Sequence, residues 1–234
     1  MKTYKAYIFD MDGTVLDTLT DLNHSLNHAL EVCGHRHDYS PEITGAFFGS
    51  GITVSATRAL AYEAGWPLES LVQVGSADDP ISPTVDPSAV AEIEDVFRPY
   101  YAIHCTDSTG PYPGIPETIR ALRARGLLTA VVSNKPDNAV QELVRDQFDG
   151  LFDYSIGEQK GIARKPSPDM VLRCLEILGV SPSESVYIGD SEIDLQTAAN
   201  TGLDCIAVDW GFRSRAFLET SGATRIISRA EELL

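Results

Sequence analysis

A chain of 234 residues, 43% hydrophobic and 22% charged, has the balance of a folded globular protein and can bury a substantial core without disulfide staples. Its formal charge of -16, from 34 acidic and 18 basic side chains, repels phosphate backbones and anionic lipid surfaces, which argues against nucleic-acid and membrane partners. Cys33, Cys105, Cys174 and Cys205 are scattered without a Cys-x-x-Cys pair, and no window approaches the roughly 20 apolar residues of a membrane helix; reduced thiols and a cytoplasmic location are the expectation.

Tyr4 to Phe9 is short, aromatic and apolar and stops at an Asp-x-Asp-Gly turn, the pattern of a buried strand ending in a loop. The next such run begins only at Leu127, a gap far beyond an ordinary strand-to-helix connection, so the intervening chain must carry structure of its own. Leu19, Leu22, Leu26 and Leu30 share one helical face, residues 52–64 form a second helix, and Val90, Ile93 and Phe97 indicate a third. Residues 75–88, with Pro80, Pro83 and Pro87 among Ser and Asp, predict an irregular connection.

Past this insert, Pro116 opens a helix that carries Ile119 and Leu122 to Gly126. Runs at Leu127–Val132, Phe152–Ile156, Ser185–Ile188 and Cys205–Val208, each after a plausible helix, alternate as a parallel sheet with crossover helices does, and Arg225–Ile227 adds an edge. Met170, Val171, Cys174, Leu175 and Leu178 line one face of a helix over residues 168–179. The expected organisation is an α/β core of residues 1–16 and 89–234 with a helical insert of residues 17–88.

The chemistry gathers at the ends of the expected strands, where ligand sites of open α/β sheets collect. Asp10 and Asp12, two residues apart in Asp10-Met11-Asp12-Gly13-Thr14-Val15-Leu16-Asp17, offer one carboxylate to attack phosphorus and another to serve as acid and then base. Two unit charges ~4 Å apart repel by about 4 kcal/mol at an effective dielectric near 20, so positive charge must be supplied when a carboxylate meets a phosphate. Asp190, in Gly189-Asp190-Ser191-Glu192-Ile193-Asp194, completes a hard oxygen site for Mg2+ with Asp10 and a group from Asp12. Lys165, ahead of the 168–179 helix, can neutralise the nucleophile and the phosphoryl group; Ser133, in Val131-Val132-Ser133-Asn134-Lys135, can hold phosphate oxygens through its hydroxyl and the following N–H.

These four segments, in this order, resemble the haloacid dehalogenase-like hydrolase superfamily over nearly the whole chain. The resemblance implies an α/β, Rossmann-like parallel sheet core with an inserted α-helical cap. It implies Asp10 as nucleophile, Asp12 as acid and base, and Mg2+ held by Asp10, the Asp12 main-chain carbonyl and Asp190. Ser133 and Lys165 would hold the phosphoryl group, with Asn134 contributing a backbone contact, and Asp194 would orient the metal shell or Lys165. Gly49-Ser50-Gly51 with Arg58, together with Tyr112-Pro113-Gly114 and Ser133-Asn134-Lys135-Pro136, looks most like phosphoglycolate phosphatases, with Arg58 a substrate contact. A small phosphorylated metabolite is the expected partner. A phosphosugar mutase resembling beta-phosphoglucomutase, a pyrophosphatase or a nucleotide phosphatase shares these core motifs, whereas a binding-only protein has no need of both aspartates. His24 and His28, four apart with Asp21 nearby, lack the Glu of an HExxH zinc site and are expected to be structural, and Trp210 to Arg213 lies at the site rim or packs on the core.

Overall fold

The computed structural model describes residues 3–76 and 78–234; Ala77, within the stretch expected to be irregular, lies outside the described residues. The chain divides into two compact units, one of Met1–Asp17 with Gly110–Leu234 and one of Thr18–Thr109.

In the first unit, β1 (Ala6–Phe9), the first strand of the chain, lies inside a six-stranded sheet with β4 (Leu128–Pro136), β5 (Tyr154–Glu158), β6 (Ser185–Gly189), β7 (Asp204–Val208) and β8 (Ile226–Ile227), in the order β5-β4-β1-β6-β7-β8 and parallel throughout. Burial on both faces explains why the strands read as apolar runs rather than alternating ones. Phe9 joins Val131, Ile188, Val208 and Leu143 on one side, while Ile8 joins Val132, Tyr187, Met170 and Cys174 on the other. The chain builds outward through β4 and β5, then returns to β6 on the opposite side of β1, so strand order reverses at β1. That reversal opens a crevice beyond its carboxyl end, between the ends of β4 and β6. A two-residue ladder that the sequence did not foretell, β2 (Leu16–Asp17) against β3 (Gly110–Pro111), holds the two places where the chain leaves and re-enters this unit.

The helices match their sequence signals closely. The expected 168–179 helix is α7 (Asp169–Leu178), with α5 (Ile115–Ala124), α6 (Asp137–Phe148), α8 (Glu192–Thr201) and α9 (Arg215–Thr220) completing the unit.

The second unit contains α1 (Leu19–Val32), α2 (Pro41–Phe47), α3 (Ile52–Glu63) and α4 (Pro87–His104). Its far boundary is a correction: expected at residue 88, it lies at Thr109, because α4 packs on α1 and α3 and buries Val90, Ile93 and Phe97 there. Asp86 caps α4 by accepting from the Ser88 N–H at 2.9 Å, with Pro87 in the first turn. Asp21, noted beside the two histidines, has a different task. Its buried carboxylate accepts the Ser108 N–H at 3.0 Å, the Thr109 N–H at 2.9 Å and the Thr109 hydroxyl at 2.8 Å, tying the unit's last residues to its first helix. His28 instead stacks on Tyr100 with ring centroids 3.9 Å apart. Asp21→Ala leaves buried N–H groups unpaired and is expected to cost about 2–4 kcal/mol, read as a lower urea midpoint at unchanged slope. An unchanged midpoint would show the clasp to be dispensable.

Candidate active site

Asp10 stands one residue beyond β1, its N–H donating to the Ile188 carbonyl at 2.9 Å, so the sheet itself carries it to the crevice. The chain then turns sharply: Gly13, at φ 82°, donates its N–H to the Leu16 carbonyl at 2.9 Å. A Cβ on Gly13 would lie 2.3 Å from Asp190 Oδ2, so only glycine lets Asp190 from the end of β6 sit against this turn.

Asp10 Oδ1 accepts the Met11 N–H at 2.7 Å and lies 2.8 Å from Lys165 Nζ. The same ammonium donates to Asp194 Oδ1 at 2.8 Å and to the Tyr187 hydroxyl at 3.1 Å, and Tyr187 in turn donates to the Val132 carbonyl. Asp194 occupies α8's first turn in a capping box, its Oδ2 accepting the Ser191 N–H at 3.1 Å and hydroxyl at 2.6 Å. Both Asp194 oxygens are thereby engaged, and of the two tasks the sequence left open for it, contact with Lys165 is the one observed. Asn134 fixes Lys165 from the other side, its side-chain amide accepting the Lys165 N–H at 2.8 Å and donating to the Lys165 carbonyl at 3.0 Å. The role expected of Asn134, a main-chain contact to the phosphoryl group, leaves its side chain open for this clamp.

Asp190 is 1% exposed and accepts the Thr14 hydroxyl at 3.1 Å and the Phe212 N–H at 2.7 Å. The segment after β7 therefore does both things considered for it: Phe212 touches the site through its main chain, and Trp210 packs against the core while its Nε1 donates to the Thr14 carbonyl at 3.1 Å. Gly211 permits this approach, since a Cβ there would fall 2.3 Å from the Gly13 carbonyl oxygen. Behind it, Arg213 and Glu192 form a buried bidentate pair at 2.8 and 3.1 Å.

Ser133 and Asn134 lie in β4, which runs on to Pro136 with a shift of register after Val132 rather than stopping at Val132. Ser133 Oγ accepts the Lys135 N–H at 3.2 Å. Lys135, next to the expected phosphoryl contacts, donates from Nζ to both oxygens of Asp12 at 2.9 and 3.1 Å. Arg58 belongs to the other unit, where it is 1% exposed and donates to the Ala46 and Phe47 carbonyls at the end of α2.

Four carboxylates, Asp10, Asp12, Asp190 and Asp194, thus face two ammoniums, Lys135 and Lys165. Burial pushes the Asp10 carboxyl up to about 7 despite the opposing pull of Lys165. Asp190 is raised well above its ordinary value by burial and by the charges of Asp194 and Asp10. For Lys165, burial works against the charged form, but Asp10 and Asp194 outweigh it and hold the ammonium protonated. A divalent cation would balance the two surplus charges. Asp10, Asp190 and Asp194 each place a carboxylate oxygen within 4.8 Å of the others, and all are hard oxygen donors of the kind Mg2+ takes.

The family described as haloacid dehalogenase-like hydrolase matches residues 7–208, a span that includes β4 to β7, the four carboxylates and the two ammoniums. The chain belongs to that family. Phosphoglycolate phosphatases of Aquifex aeolicus and Thiobacillus denitrificans are each 30% identical to it, over 89% and 98% of this chain and 86% and 94% of theirs. A crystal structure from Lactobacillus delbrueckii subsp. bulgaricus, of a protein provisionally named a phosphoglycolate phosphatase, superposes with a TM-score of 0.97 at 55% identity, covering 99% of this chain and 97% of that one. With these relatives the chain falls among the phosphatases of the family, in its phosphoglycolate phosphatase-like subgroup.

Proposed function

We propose that the protein hydrolyses small phosphomonoesters in two steps through an aspartyl-phosphate on Asp10, with 2-phosphoglycolate as the leading substrate. The observation that carries the reading is Asp10 itself: a buried carboxylate at the crevice whose Oδ1 is anchored by Lys165 and the Met11 N–H. An Asp10 oxygen attacks phosphorus and the ester P–O bond breaks; Asp12 delivers a proton to the departing oxygen. Water then attacks the same phosphorus, Asp12 takes its proton, and phosphate leaves with Asp10 restored. Ser133 and the Asn134 N–H hold phosphoryl oxygens, while Lys165, fixed by Asn134 and Asp194, offsets charge where nucleophile and phosphoryl meet. Mg2+, held by Asp10, Asp190 and the Asp12 carbonyl, would supply the remaining positive charge on the phosphoryl oxygens.

The names of the relatives support the choice of ester. A cytoplasmic location belongs to the same proposal; among the described residues no helix is long and apolar enough to cross a membrane and no cysteine forms a disulfide.

The deciding experiment is phosphate release from 2-phosphoglycolate, sugar phosphates, nucleotides and pyrophosphate, with and without Mg2+. Preference for 2-phosphoglycolate that vanishes on chelation is the expected result. Weak release from all of them, with conversion of beta-glucose 1-phosphate, would replace hydrolysis by mutase chemistry. Asp190→Ala removes one hard anionic ligand and should raise the Mg2+ concentration needed for half-maximal activity by at least about tenfold. An unchanged titration would take Asp190 out of the metal shell.

A further inference from the structure

We propose that Lys135 reads the charge of the leaving alcohol, favouring small esters whose alcohol carries a carboxylate next to the scissile oxygen. The inference rests on the reading of Asp12 as the leaving-group acid. The two ammoniums of the site have separate partners: Lys165 is enclosed by Asp10, Asp194 and Tyr187, whereas Lys135 bonds both oxygens of Asp12. One cation therefore stands with the nucleophile and the other with the acid. An acid must lie within roughly 2.6–3.2 Å of the oxygen it protonates. The Lys135 ammonium, 2.9 Å from Asp12 Oδ1, is consequently a neighbour of the leaving group and not only of phosphorus.

In an ester of glycolate, a single methylene carbon separates the leaving oxygen from the carboxylate, so both fall beside the Asp12 and Lys135 pair. The side chain of Asp12 is 21% exposed, which leaves the pair approachable, while that of Lys135 is 3% exposed and largely withdrawn from water, where a charged contact counts for more. The substrate carboxylate can take the ammonium over from Asp12, one carboxylate partner replacing another, and Asp12 is then released toward the leaving oxygen. A neutral group of the same shape offers no such exchange. The hydrogen bond from the Lys135 N–H to Ser133 Oγ sets the lysine in fixed register with the residue proposed to hold the phosphoryl group.

The test compares kcat/KM for 2-phosphoglycolate and for the phosphate ester of glycolamide, which has the same shape without the carboxylate charge. The wild type is expected to prefer the glycolate ester by about 10- to 100-fold, the range of a charge-assisted contact. Lys135→Met should reduce that ratio to within about threefold, while Lys135→Arg, which keeps the charge, should retain most of it. Equal loss on both esters in Lys135→Met would overturn the proposal and leave Lys135 a counter-ion to Asp12 only. A wild type without preference overturns it with no variant needed, so misfolding of Lys135→Met cannot shield it. Failure of the underlying reading looks different: neither ester would then release phosphate above the level of Asp10→Asn.

Discussion

Asp10→Asn is expected to lower phosphate release from every ester by at least about 10⁴-fold while the protein remains folded. The amide keeps the size of the carboxylate and its acceptor oxygen, but it is a poor nucleophile and a weak Mg2+ ligand. Folding should survive because Lys165 retains Asp194 as a partner at 2.8 Å and because the substitution removes a charge that burial penalises. Stability against pH checks this independently of turnover. The folded carboxyl sits near 7 rather than 3.8, so between about pH 4 and 7 the native state holds a proton that the unfolded chain has released. This group's contribution therefore falls as pH rises through that window and levels off above it. In metal-free urea unfolding, Asp10→Asn should lack this decline, so its stability relative to wild type should be more favourable at pH 8 than at pH 5. Residual turnover in a pure preparation would remove Asp10 as nucleophile; identical pH profiles would mean that its burial carries no electrostatic cost.

What the sequence could reveal follows from how far apart the interacting residues are. Asp10, Asp12, Lys165 and Asp190 were legible because each lies in a short local pattern at a strand end or helix start, and the parallel sheet brings those ends together. Lys135 was not, although its segment was singled out: next to Ser and Asn it reads as a turn residue, and its partner Asp12 is 123 positions away. The Asn134 amide likewise meets Lys165 across 31 positions, and the Phe212 N–H meets Asp190 through a main-chain donor that no side-chain pattern encodes. The fold shows the same division. Helices with a full apolar face, such as α1 and α7, were placed closely, whereas α2, seven residues long with Gly45 inside, has too little pattern to detect. The boundary at residue 88 failed for a related reason. Val90, Ile93 and Phe97 announce a buried helix face but not which unit buries it, and that depends on the packing of α4 against α1 and α3.

Lys165→Met should carry the largest combined cost, about 3–5 kcal/mol of stability at pH 8 together with a 10²- to 10⁴-fold loss of kcat/KM. Methionine fills most of the space of the lysine stem, so packing is nearly kept and the missing element is the ammonium at 2.8 Å from both Asp10 and Asp194. Two buried carboxylates are then left without their cation. The Asp10 carboxyl, already raised by burial, then loses the pull of Lys165 that holds it down and rises further, so the folded state will hold a proton that the unfolded chain lacks and the deficit should shrink as pH falls from 8 toward 5.5. The proposed Mg2+ would favour the ionised form of Asp10 and Asp190, so the variant should gain more from Mg2+ than the wild type does. Removing a second charge separates two roles of the lysine. Lys165→Met with Asp194→Asn leaves one buried carboxylate fewer to satisfy and should recover much of the stability in urea, yet it restores no positive charge to the phosphoryl group and should recover little activity. If the double variant regained turnover as well, Lys165 would be a structural counter-ion alone. If the single variant were as stable as wild type at pH 8, the buried pairs would contribute nothing to the fold and the electrostatic account of the site would fall with them.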